Sequence, residues 1–196
     1  DFEPLTYRCP VDKSMTLTAF ADADSFIWKL PVDEGYGKTV SVTPLIIGVN
    51  QYTVTAFQGG CKGEDTVDVI GYTRPANDDV CNAIDLQLNK NNGPFSNVNA
   101  GIECGEPMPL TGSCTAYCWC FFSSPKNTVW FWFTIPDQGS GYNFITSGFD
   151  TKIAIYATKE CDSLLLGNYK LIAAKDDQTD SYEAKIINWK GFSEGE

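Results

Sequence analysis

The 196-residue chain contains no histidine. That absence removes the Ser-His-Asp and Cys-His nucleophilic engines, the HExxH zinc hydrolases and every histidine-ligated metal site. Carboxylate-pair and Ser-Lys chemistry survive it. Basic charge is also scarce: 14 Lys and Arg stand against 25 Asp and Glu, a net charge of −11. Nucleic-acid phosphates and anionic lipid both need a basic footprint, so neither is an expected partner. No apolar run approaches the roughly 18 residues of a membrane span, so no membrane insertion is expected. There is no Asn-x-Ser/Thr sequon, and no stretch repeats its apolar residues with a helical period.

What is present points outside the cytoplasm. Eight cysteines in an acidic, Gly/Asn/Thr-rich chain favour disulfides and an oxidising, extracellular or cell-surface setting. Cys114, Cys118 and Cys120 form a CxxxCxC cluster, which lacks the paired CxxC knuckles of a zinc ribbon. The chain opens at Asp1 without methionine and reads as a mature product or a piece of one.

Residues 1–73 alternate apolar and polar side chains in short runs. Met15, Leu17 and Ala19 are interleaved with threonines; Phe26, Trp28 and Leu30 follow, then Val40 and Val42, Tyr52, Val54 and Ala56, and Val67 and Val69. With turns at Asp33-Glu34-Gly35 and Gly59-Gly60, the pattern predicts an all-β sandwich. Trp28 is the expected core tryptophan of a central strand and Tyr52 a tyrosine-corner residue. Ala56 stands where an antibody domain carries its second core cysteine. Cys9, before the first strand, and Cys61, at the last hairpin, are therefore the expected pair. Thr73-Arg74-Pro75-Ala76 is a short linker to a second domain over 77–196. There, closeness in sequence pairs Cys81 with Cys104, and Cys114, Cys118, Cys120 and Cys161 stay open.

Two resemblances follow from these residues. The series Cys9, Met15–Ala19, Trp28, Thr39–Pro44, Tyr52–Ala56, Cys61 and Asp65–Val67 resembles the PKD/Ig-like repeats of Bacteroidetes surface proteins, which act as spacers and adhesive modules. Asn77–Ile84, Gly93-Pro94, Asn97–Ala100, Gly105–Pro107, Val129–Phe131, Asp150–Tyr156, Cys161 and Ala173–Asp177 come in an order similar to jelly-roll domains of the pre-peptidase C-terminal type. That second resemblance implies an extracellular, non-catalytic accessory role and names no ligand. The family continues past its Asp-Asp loop with further closing strands, whereas this sequence ends soon after Asn188–Gly191. A fragment of a longer chain is the expectation, with a strand donated by a neighbour as the alternative.

Several side chains are candidates for contact. In Val129–Thr134, alternation sends Val129, Phe131 and Phe133 to one face and Trp130 and Trp132 to the other. Trp132, where relatives carry a polar residue, and Trp119, inside the cysteine cluster, are the expected rings for a protein partner or a glycan; the competing reading puts both in a core. Asp150, Asp176, Asp177 and Asp180 could gather oxygens for calcium, as could Asn77, Asp78 and Asp79, although Asx residues serve turns equally well. Glu103 and Glu106 flank Cys104, but no hydrolase motif accompanies them, and no catalysis is expected. Asp65-Thr66-Val67 and Asp162-Ser163-Leu164 match a short Asp-Ser/Thr-aliphatic pattern of Bacteroidetes O-glycosylation, placing glycans on Thr66 and Ser163. The expected whole is an all-β chain of two β-sandwich domains, Ig-like then jelly-roll-like. It would work in adhesion or in assembly with other surface domains or subunits. A carbohydrate-binding accessory module of a secreted enzyme is the alternative.

Overall fold

The computed structural model describes residues 7–112, 118–120, 126–135, 141–176 and 183–190. The protein is all-β and divides into two compact units, Asp1–Arg74 and Pro75–Glu196.

Among the described residues the first unit has seven strands: β1 (Tyr7–Pro10), β2 (Met15–Thr18), β3 (Ser25–Lys29), β4 (Glu34–Tyr36), β5 (Thr39–Val42), β6 (Gly48–Gln58) and β7 (Cys61–Tyr72). Five of them form one sheet in the order β1-β7-β6-β3-β4, while β2 and β5 pair as a second. The alternation read from the sequence decides which side chains meet. Leu17 and Val42 come from the small sheet; Cys9, Phe26, Trp28, Tyr52 and Val69 come from the large one, and together they form a single buried cluster. Their neighbours Thr16, Thr18, Thr39 and Ser41 face water. Trp28 is paired on both sides, its indole Nε1 donating to Gly37 O at 3.0 Å, so the polar edge of a buried ring is satisfied. Tyr52 Oη donates to Thr43 O at 3.3 Å and fixes the chain between β5 and β6. The β6–β7 hairpin turns through Gly59 and Gly60 at φ +54° and +84°, the positive values that a two-residue turn requires.

Three expectations are corrected here. Cys9 does not precede the first strand; it lies in β1, its side chain in the core. Nor does it pair with Cys61. β1 runs parallel to the far end of β7, with Cys9 opposite Gly71, and Cys61 lies ten positions back along that strand. At strand rise that is roughly 33 Å, far beyond the ~7 Å Cα limit of a disulfide. Both cysteines are free thiols. Finally, Glu34-Gly35 is not a turn but the start of β4, paired with β3.

The second unit is held by strand pairs. β8 (Ile84–Asp85) runs parallel to β11 (Phe131–Trp132), and β9 (Leu110–Gly112) parallel to β10 (Cys118–Cys120). β12 (Tyr142–Ile145) is antiparallel to β15 (Lys185–Trp189), and β13 (Ile153–Ala157) antiparallel to β14 (Lys170–Lys175). Ile155, Ile172, Ala173 and Ile186 form its buried cluster, with Phe133 and Phe144 packed against it. A single turn of helix, α1 (Cys161–Leu165), lies against a 3-10 turn at Val80–Asn82. That contact corrects the expected Cys81–Cys104 pairing. The helix brings Cys161 to 5.1 Å from Cys81, Cα to Cα, and these two form a disulfide; Cys104 is exposed and free.

Candidate functional site

The carboxylates considered for chemistry or calcium serve mostly as braces. Glu106 accepts from Glu103 N at 3.0 Å, from the Thr128 hydroxyl at 2.8 Å and from Trp130 Nε1 at 3.2 Å. Glu103 Oε2 accepts from Val80 N at 2.9 Å. Asp78 Oδ1 accepts from Gly101 N at 2.6 Å, and Asn77 Nδ2 donates to Trp130 O at 2.9 Å. Asp79 caps the 3-10 turn by position, without a side-chain bond to it. Asp176, 3% exposed, is paired with Lys152 at 2.7 Å, while Asp150 is exposed. Asp177 and Asp180 lie outside the described residues. Among the described residues, one group of three thiol or carboxylate donors stands close together, Cys81, Cys161 and Asp162. Two of its sulfurs are joined to each other, so no thiolate is left for a metal.

The tryptophans separate clearly. Trp119, expected as an exposed ring, is 6% exposed. Its Nε1 donates to Ile153 O at 3.1 Å, and Lys152 Nζ lies 5.9 Å from the ring centre. A ring enclosed in this way has no face left for a ligand. The reason is β10: Trp119 is the inward residue of that short strand, which lies beside β14. Trp132 is 51% exposed. Ile84 N donates to Trp130 O and Leu86 N to Trp132 O, which fixes the strand that carries the ring. On the opposite face Phe131 meets Phe95 at 4.6 Å and Phe133 meets Phe144 at 5.0 Å.

A second surface was not anticipated. Leu45, Ile46 and Ile47, between β5 and β6, and Val49, at the start of β6, are all more than half exposed. Four neighbouring aliphatic side chains in water need something to keep them there, since collapse onto the core would be favourable. Asn50 is that constraint. Buried in β6 just after the loop, its Oδ1 accepts from Leu45 N at 2.9 Å and Ile46 N at 3.2 Å, and its Nδ2 donates to Ile46 O at 2.8 Å and Gly48 O at 3.0 Å. Behind the loop Ile46 O approaches Gly71 so closely that a Cβ there would sit 2.2 Å from it. The signal in the sequence is an apolar run, Leu45-Ile46-Ile47, that breaks alternation three positions ahead of Asn50, a polar residue on an inward position.

Of the two glycosylation candidates, Thr66 is exposed on β7, and Ser163 is half-buried in α1. Cys114 lies outside the described residues. No family model matches the chain, and no curated protein matches it. Among the described residues, no helix is long and apolar enough to cross a membrane.

Proposed function

We propose that the chain is a non-catalytic module of an extracellular, surface-displayed protein, working in adhesion or in the assembly of an extracellular structure. One observation carries this reading: the Leu45–Val49 segment, a loop and the first residues of β6, holds aliphatic side chains in water by an internal brace. Burying a side chain of this kind is worth about 1.5–3 kcal/mol, and a loop already fixed loses little entropy when a partner covers it. The patch is apolar and carries no basic residue, which suits a protein surface better than an anionic lipid. The PKD/Ig-like resemblance of the first unit and the jelly-roll resemblance of the second agree with such a role, as does the Cys81–Cys161 disulfide. Thr66, exposed on β7, is the more accessible of the two O-glycan acceptors.

The test is a bead assay with the intact chain immobilised at controlled density. Wild-type beads are expected to cluster or to adhere to bacterial surfaces, and beads carrying Ile46→Ser/Ile47→Ser are expected to lose at least about 90% of that retention if those side chains supply the contact energy. Equal retention of both proteins would refute the reading. A second reading, carbohydrate binding, is favoured by the exposed ring of Trp132.

A further inference from the structure

Trp132 does not stand alone on its face of the sheet. It is the register partner of Asp85 in the parallel β8–β11 pair, and paired residues leave a sheet on the same side. Two positions further along the same strand direction, Gln87 Nε2 donates to Asp85 Oδ2 at 3.2 Å. Asp85 and Gln87 are both exposed. Among the described residues no donor reaches the second carboxylate oxygen of Asp85 or the amide oxygen of Gln87. The bond between them ties the two side chains together, with Asp85 on the ring's side of the sheet.

We infer that Trp132, Asp85 and Gln87 form a shallow platform that binds a neutral pyranose of an oligosaccharide. The weakly positive C–H face of such a sugar complements the negative face of the indole. Its hydroxyls are donors, and the platform offers acceptors to receive them. A few polar groups beside an apolar surface are what orient a small ligand. Uronic and sulfated sugars meet Asp85 and a chain of net charge −11, so they are disfavoured. A protein partner fits this face less well, because a tryptophan anchor needs an apolar surround that excludes water. Trp130, on the same face, is half-buried and engaged with Glu106 and Tyr156, and the exposed side chains near Trp132 along the two strands are Asp85, Gln87 and Thr134. The phenylalanine contacts behind the strand hold in place the backbone that carries the ring.

This inference rests on the second reading of function and is independent of the aliphatic loop. The experiment is calorimetric titration of the intact chain with cellohexaose, xylohexaose, laminarihexaose and mannohexaose at millimolar concentration, with hexagalacturonate as the acidic control. At least one neutral hexasaccharide should bind and quench tryptophan fluorescence. Trp132→Ala should weaken it about tenfold or more, as loss of a main anchor does. Asp85→Ala/Gln87→Ala, which leaves the ring in place, should weaken it while the circular dichroism stays unchanged. Ile46→Ser/Ile47→Ser should bind like wild type, so a failed platform and a failed adhesive loop are told apart. Binding to none of the neutral sugars, equal binding by the Asp85/Gln87 variant, or equal binding of hexagalacturonate would each overturn the inference.

Discussion

Asp12 and Arg74 lie at opposite ends of the first unit's sequence, yet Arg74 Nη2 donates to Asp12 Oδ2 at 2.8 Å. That hydrogen bond from Arg74 holds the Asp12 carboxyl below the usual aspartate range, against a smaller opposing effect of burial. A lowered value means the folded state favours the ionised form. The stabilisation is complete above the ordinary aspartate range and is lost as pH falls through the lowered one. Asp12→Asn should therefore melt below wild type at neutral pH, and the two melting curves should converge in strong acid. A gap that stays constant with pH would show that Asp12 acts through packing alone. The Cys9 thiol moves the other way: burial, then the Asp12 charge, pushes it up, which keeps it protonated and unreactive inside the core. Tyr156 is likewise pushed up, chiefly by burial, and donates its hydroxyl proton to Pro107 O at 3.1 Å.

Among the elements, the loop before β6 shows what polar burial can do. Replacing Asn50 with alanine removes every side-chain bond that shapes Leu45–Gly48 and leaves two backbone N–H groups without their acceptor. Water reaches part of that loop, so the expected loss is about 2 kcal/mol, below the sum of the individual bonds. Denaturant unfolding of Asn50→Ala measures it, and a change under about 0.5 kcal/mol would mean the loop is held by other means. The strands themselves were legible wherever Val, Leu, Phe or Trp alternated with Thr or Ser, because period two is what a half-buried sheet imposes. β1 and β4 escaped that test. β1 contains Cys9-Pro10, and β4 contains Glu34-Gly35, a composition suited to turns. Pairing with β7 and β3 overrides these local preferences, and such pairing is not written in the segment itself. The same limit applies to the site. Trp132 was readable as an outward residue of an alternating run. Trp119 was not, since its burial comes from β10 lying next to β14, a contact between distant parts of the chain.

At the scale of the whole molecule, disulfide connectivity was the least readable feature. Spacing favoured near neighbours, whereas the fold joined Cys81 to Cys161 across a separation of 80 residues. Closing a loop of that size restrains the unfolded chain by about 4.5 kcal/mol in the chain-entropy account. Because the bond lies wholly within Pro75–Glu196, its removal should affect that unit alone. Scanning calorimetry of Cys81→Ser/Cys161→Ser should show the second unit melting earlier and the first at its original temperature. A parallel fall in both would mean that the units unfold as one.

The pairing of β1 with β7 has a mechanical consequence. Tyr7 through Pro10 run alongside Val69 through Tyr72 in the same direction, so the strand entering the first unit and the strand leaving it are immediate neighbours. Pull on the chain ahead of Tyr7 and beyond Tyr72, and the two strands are driven past each other along their length. The rungs between them then share the load and must yield together; they cannot open one by one like a zip. A unit fastened in this manner resists extension best along the line that joins its own two chain ends.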